Sequence, residues 1–166
     1  MIEIIAANIQ DIKIIQEIAY NTWPTTFGTI LSPEQITYML DMMYSQASLT
    51  KQLTDLQHHF LLAKQAETVV GFVSYETPYR GLSQTKIHKI YILPTTQRSG
   101  VGRKLMDEVE RIARNKGDRQ LLLNVNKFNT AENFYKQLGF DIIGMEDIDI
   151  GAGFLMEDKI MAKKLS

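Results

Sequence analysis

Residues Gln97-Arg98-Ser99-Gly100-Val101-Gly102 combine the residue types and the spacing of an anion site. An apolar, strand-like run, Ile90-Tyr91-Ile92-Leu93-Pro94, precedes them, and a long amphipathic stretch follows. A strand, a short turn with two glycines and a helix start present main-chain amides to a ligand. Glycine lets the backbone approach closely, and the first helical N–H groups have no internal partner. The positive end of the helix adds to the attraction. A phosphate-bearing ligand suits such a turn; a ligand-free, glycine-punctuated turn is the other reading of the same six residues. Two phosphate motifs are excluded. No Gly-x-x-x-x-Gly-Lys-Ser/Thr string occurs, and Leu105 stands where the dinucleotide fingerprint needs a third small residue.

The elements that must hold this turn follow from periodicity and punctuation. Residues 1–7 alternate as a first strand. Ile12, Ile15, Ile18 and Ala19 are spaced for a helix over 9–21, with Asn8 as its N-cap. Residues 22–31, with Trp23, Pro24, Phe27 and Gly28, predict an aromatic-rich loop. Ser32-Pro33-Glu34-Gln35 predicts a helix start, with Ser as cap and Pro at the first position. That helix runs to about Met43, and a second helical piece spans about 47–56. Residues 60–64 and 69–76 predict a hairpin, and 85–93 a further strand. The helix after the glycines spans 100–116, buries Val101, Leu105, Val109 and Ile112, and stops at Gly117. Residues 120–126 predict a strand, 130–138 a short helix ended by Gly139, and 141–150 and 154–163 two closing strands. The order β-α-α-β-β-β-α-β-α-β-β describes a mixed sheet with helices on both faces.

Composition narrows the function classes. With 166 residues, 45% hydrophobic and 22% charged, the chain suits one globular domain, residues 1–166. A net charge of −1 provides no global field for nucleic acid or an anionic membrane. No apolar run is long enough to cross a bilayer, and Met1-Ile2-Glu3-Ile4-Ile5 lacks the pattern of a signal peptide. The chain has no cysteine, which excludes disulfides, thiolate metal sites and a cysteine nucleophile. The side chains of His58 and His59 would point apart in a strand, so no metal is expected there. A cytoplasmic protein is the simplest expectation.

The element order and its punctuation resemble the GNAT superfamily of N-acetyltransferases. The resemblance covers the whole chain in element order and is sharpest from Ile90 to Phe140. Two motifs carry it: Gln97-x-x-Gly100-x-Gly102 behind Pro94, and Asn129-x-Ala131-x-x-Phe134-Tyr135-x-x-Leu138-Gly139-Phe140. It implies an α/β (α+β) fold of six to seven mostly antiparallel strands, a splayed central parallel pair and helices on both faces. It implies that amides from Gln97 through Arg98, Ser99, Gly100 and Val101 to Gly102 hold the pyrophosphate of acetyl-CoA. The strand before the turn would bulge, and its Ile90-Tyr91-Ile92 edge would pair with the pantetheine arm. An amide near the bulge would polarise the thioester carbonyl. Arg98 and Arg103 would offset phosphate charge, or stand as solvated cations. The matching tyrosine of the family protonates the departing thiolate, which assigns that task to Tyr135; packing with Phe134 and Phe140 is the alternative. Asn129 would cap the following helix, contact the cofactor arm, or both, and Asn124 or Asn126 would reach cofactor or substrate from a strand end.

The implied activity is direct attack of a primary amine, in a small amine, polyamine or peptide, on acetyl-CoA. A non-catalytic acyl-CoA sensor on the same scaffold is the alternative, and O-acetyl or longer-acyl transfer a weaker one. Homodimers are common for the scaffold. The base that deprotonates the amine is not evident. His88 is the first candidate by its ordinary pKa, on the face of Ile90 if no bulge intervenes, and Glu76 the second. In this architecture the acceptor wall would come from Trp23, Phe27, Tyr38, Met39, Met42, Met43 and Tyr44, residues that equally suit helix packing. Glu146, Asp147 and Asp149 would draw a cationic acceptor, or form an ordinary solvated hairpin.

Overall fold

The computed structural model describes residues 1–165. Seven strands form one sheet: β1 (Ile2–Ala6), β2 (His59–Gln65), β3 (Thr68–Glu76), β4 (Gln84–Ile92), β5 (Gln120–Asn126), β6 (Asp141–Gly151) and β7 (Phe154–Lys164). Their spatial order is β1-β2-β3-β4-β5-β7-β6. Five helices cover it: α1 (Ile12–Phe27), α2 (Pro33–Tyr44), α3 (Gln46–Thr54), α4 (Val101–Asn115) and α5 (Ala131–Gln137). Every neighbouring pair is antiparallel except β4 and β5. Their parallel ladder runs only from Gln84↔Gln120 to Ile87↔Leu123. β4 continues to Ile92 and β5 to Asn126 with no shared rung, so the centre of the sheet opens into a wedge. This is the mixed, splayed sheet that the resemblance implies.

Strand alternation feeds two cores. Leu61, Ala63, Val73, Ile87, Leu121 and Leu123 pack on one face with Val101, Leu105 and Val109 of α4. Phe60, Leu62 and Phe72 pack on the other with Ile15, Trp23, Met39, Tyr44 and Leu49 of α1, α2 and α3. Helix starts follow the cap chemistry. Asn8 Oδ1 accepts from the Gln10 amide at 2.8 Å, while Asp11 Oδ2 accepts from the Asn8 amide at 2.9 Å, on a short turn that leads into α1. Ser32 accepts from the Gln35 amide and Ser45 from that of Ser48, each at 3.1 Å, opening α2 and α3.

Two local expectations change. The predicted loop over 22–31 is helix as far as Phe27, with Pro24 inside its last turns. Proline removes one donor from a helix, but Trp23 is 2% exposed and packs on Phe27, Tyr44 and Tyr91, with ring centroids 4.5, 5.9 and 5.9 Å away. That burial outweighs the lost bond. On α4 the buried residues are Val101, Leu105, Met106, Val109 and Ala113. Ile112 is only partly buried, at the edge of the stripe.

Candidate active site

Behind β4 the chain makes one short helical turn, Pro94–Thr96, and then curls sharply. Arg98 (φ +68°) and Gly100 (φ +86°) both sit in the left-handed region. A non-glycine residue there is uncommon, and such backbone gathers at ligand sites. Gln97 Nε2 donates to the Ile92 carbonyl at 3.2 Å, and the Ser99 hydroxyl donates to the Thr96 carbonyl. Lys104 N–H reaches the Gly100 carbonyl at 3.1 Å as α4 begins. The amides of Val101, Gly102 and Arg103 therefore have no carbonyl within the helix. Gly102 lets three elements converge: a Cβ there would stand 3.2 Å from Phe134 Cζ and 3.5 Å from Ile92 Cδ1.

A cleft of about 1110 Å³ opens where β4 and β5 part. Ile90, Tyr91 and Ile92 line it from β4, and Gln97, Arg98, Gly100, Val101, Gly102 and Arg103 from the turn. Asn124, Asn126, Asn129 and Tyr135 line it from the other side. Of the residues expected to hold the cofactor, Ser99 alone lies outside the wall. Asn129 Oδ1 accepts from the Ala131 amide at 2.9 Å and so opens α5. Tyr135 is 8% exposed, with its ring against Phe134 and Phe140 at centroid distances of 5.5 and 6.1 Å. Burial pushes its phenol pKa well up, so the group keeps its proton at neutral pH.

The predicted bulge lies at His88. Ser74 pairs with Lys89 and Tyr75 with Ile87, which leaves His88 as the extra residue in β4. The alternation that would place His88 beside Ile90 is thereby broken. Ile87, Ile90 and Ile92 all serve the α4 core, while His88 turns to Glu76. His88 Nε2 lies 2.9 Å from Glu76 Oε1, and His58 Nε2 lies 3.4 Å from the same oxygen. The two rings stack at 4.0 Å and 12°. His58 is a partner that adjacency to His59 concealed. Burial, with the charges of Lys89 and Lys86, lowers His88 to about 3. Burial, followed by His88 and Lys89, lowers His58 to about 4. A ring titrating near 6.5, the ground for choosing His88 as base, is not what the fold provides. The three side chains bring ligand-type atoms within 4.8 Å of one another.

On the acceptor side, Trp23, Phe27, Met39, Met43 and Tyr44 line the cleft while also serving the core. Tyr38 and Met42 do not line it. Tyr38 donates to the Ile150 carbonyl at 2.6 Å, and Met42 faces outward. Glu146, Asp147 and Asp149 also lie off the wall. Glu146 Oε1 accepts from Asn124 Nδ2 at 3.0 Å, and Asp149 Oδ1 accepts from the Gly151 amide at 2.9 Å. Two charged residues that strand periodicity does not single out do line the cleft: Lys89 and Asp158. Lys89 Nζ donates to Gln52 Oε1 at 2.8 Å and stands 5.8 Å over the Tyr44 ring. It has no acidic partner among the described residues, and burial lowers its pKa to about 8.

The profile of a family described as an acetyltransferase (GNAT) domain matches residues 29–156. A spermidine N(1)-acetyltransferase of Thermoplasma acidophilum is 29% identical over 163 residues, covering 95% of this chain and 97% of that one. The crystal structure of the PaiA N-acetyltransferase from T. acidophilum, in complex with coenzyme A, superposes with a TM-score of 0.82. It is 28% identical and covers 99% of each chain. A GCN5-related N-acetyltransferase from Rhodopseudomonas palustris shares the fold with a TM-score of 0.84 at 20% identity, covering 98% of this chain and 95% of that one.

Proposed function

The chain belongs to the GNAT acetyltransferase family, and on that premise we propose that it moves an acetyl group from acetyl-CoA to a primary amine by direct attack. One observation carries the proposal: a single cleft holds both the amides of the glycine turn and the buried phenol of Tyr135. Amides from Gln97 to Gly102 take the pyrophosphate, and Arg98 and Arg103 offset its charge. Ser99 contributes its amide alone, since its hydroxyl serves Thr96. The edge of Ile90, Tyr91 and Ile92 that faces away from β3 lies open to the pantetheine arm, which docks as an added strand would. Asn129 adds a polar contact from the opposite wall. Residues 1–166 act as a single domain.

In the reaction the amine nitrogen bonds to the acetyl carbon as the carbon–sulfur bond breaks. A β4 amide at the bulge stabilises the oxyanion. Tyr135 gives its proton to the departing thiolate and regains one from the nitrogen as the amide forms. Its raised pKa keeps it in the donating form. The coenzyme A bound to the T. acidophilum PaiA protein supports the donor. The spermidine named for the T. acidophilum relative puts a polyamine at the head of the acceptor panel.

The test joins calorimetry with acetyl-CoA to thiol release from acetyl-CoA over a panel of amines led by spermidine. Tyr135→Phe should lower kcat by about 100-fold while leaving acetyl-CoA affinity within about twofold. Full turnover by that variant removes the phenol from the mechanism. Tight cofactor binding with no turnover on any amine points to a sensor, and no binding at all refutes the proposal.

A further inference from the structure

Asp158 is a buried acid to which the reaction so far gives no task. It sits on β7, opposite Asn126 of β5 and Glu146 of β6, and only 3% of it is exposed. It lines the cleft that holds Tyr135 and Tyr91. Its Oδ2 accepts from Asn124 Nδ2 at 3.3 Å, a long bond, and its Oδ1 is buried with no partner among the described residues. Asn124 is itself committed elsewhere: its Oδ1 accepts from Lys86 Nζ at 2.5 Å, and its Nδ2 also reaches Glu146 Oε1 at 3.0 Å. The carboxylate thus has one weak donor and no direct cation. Buried carboxylates are costly in that condition, and a missing donor is the natural complement.

Resting on the acetyltransferase reading above, we propose that Asp158 is the base that receives the proton of the acceptor's ammonium group. The acceptor is then a cationic alkylamine, and its N–H supplies the donor that the carboxylate lacks. The steps balance. The ammonium gives one proton to Asp158, which later passes it to water. The neutral nitrogen attacks the acetyl carbon, and the carbon–nitrogen bond forms as the carbon–sulfur bond breaks. The second proton leaves nitrogen for Tyr135 as Tyr135 protonates the thiolate. Asp158, Tyr135 and Tyr91 all line the one cleft, Tyr91 from β4 and Asp158 from β7. The charges and dipoles facing Asp158 are Lys86 from β4, Asn124 from β5, and Glu146 and Asp147 from β6; burial raises its pKa most, and the two β6 acids add to it.

The near-isosteric Asp158→Asn supplies the first test, with spermidine as acceptor and acetyl-CoA calorimetry as the check on folding. At pH 7 its kcat/KM for the amine should fall by about 100-fold, with acetyl-CoA affinity unchanged. The deficit should shrink roughly tenfold per pH unit as solution deprotonates the amine for it. A variant within about threefold of the unsubstituted protein at every pH overturns the proposal. So does a loss that is the same at every pH, which would mark a structural role. A second measurement needs no variant. The acid limb of kcat/KM for the unsubstituted enzyme should keep its position when spermidine is replaced by a difluorinated analogue with less basic amines. A limb that moves with the amine assigns deprotonation to bulk water and overturns the assignment. Failure of the underlying reading looks different: the unsubstituted protein then releases no thiol with any amine.

Discussion

Replacing Lys89 by methionine should make the protein more stable at pH 7. The half-buried Lys89 side chain lies beside α3 and Tyr44 on the cleft wall, with Gln52 Oε1 as its one hydrogen-bond acceptor and no acidic partner among the described residues. Burial lowers its pKa from the ordinary 10.5 to about 8. At about 1.4 kcal/mol per pH unit, carrying the charge costs the folded state roughly 3 kcal/mol below pH 8. Methionine has a similar length, keeps the apolar contact, and leaves Gln52 Oε1 without its donor, which returns about 1 kcal/mol of that gain. The net expectation is a stabilisation of about 2 kcal/mol, or roughly 4–8 °C in Tm for a domain of this size. The sign follows from proton counting. Between about 8 and 10.5 the unfolded lysine holds its proton and the folded one does not. The stability of the unsubstituted protein therefore rises with pH by roughly 3 kcal/mol through that window, so the advantage of the variant vanishes before its upper end and becomes a deficit of about 1 kcal/mol, the lost Gln52 bond. Urea unfolding of both proteins at pH 7 and pH 10 measures this directly. A variant that is less stable at pH 7, or one whose advantage is the same at both pH values, would refute the reasoning.

The glycine turn and the histidine pair make two further predictions. Gly102→Leu places side-chain atoms where Phe134 Cζ and Ile92 Cδ1 already crowd the Cβ position. Acetyl-CoA affinity should weaken by about tenfold or more, close to 1.4 kcal/mol, and unchanged affinity by calorimetry would show that the turn does not hold the cofactor. His58 and His88 are kept neutral in the fold at about 4 and about 3, whereas both take up a proton near 6.5 when unfolded. Stability is thus fully present above pH 6.5 and is lost as pH falls toward 4. The urea midpoint should drop across that range and flatten in the His58→Gln, His88→Gln double variant; a flat profile in the unsubstituted protein counts against the buried pair.

Much of this molecule is legible in its residues because local chemistry and global fold agree. The glycine turn announces itself by Gly100 and Gly102 between an apolar strand and an amphipathic helix, and the cap residues Asn8 and Ser32 do in the structure what their types predict. The misreadings have physical causes. Pro24 reads as a helix breaker, but the partners of Trp23 that override it, Tyr44 and Tyr91, lie far along the chain. His88 reads as a neighbour of Ile90 because alternation has no knowledge of a bulge, which depends on how β3 pairs. Lys89 and Asp158 are charged residues in strands, a pattern that ordinarily means solvent. Their burial comes from α3 on one side and from the pairing of β5 with β7 on the other. Neither contact leaves a local mark in the sequence.

Among the described residues, four rungs between β4 and β5 are the sole ladder joining the two parts of the sheet, and all four lie at one end. Beside them, Asp118 Oδ2 accepts from Thr77 at 2.6 Å and Thr85 at 2.5 Å, and Gln120 Nε2 donates to Gln84 Oε1 at 2.9 Å. Mechanically this is a fulcrum. A small rotation about the last rung displaces Ile92 and Asn126 most, because they lie farthest from the pivot. Side chains that never meet a reactant therefore set how widely the jaws gape, and the spacing between the two walls is governed from the clamped end.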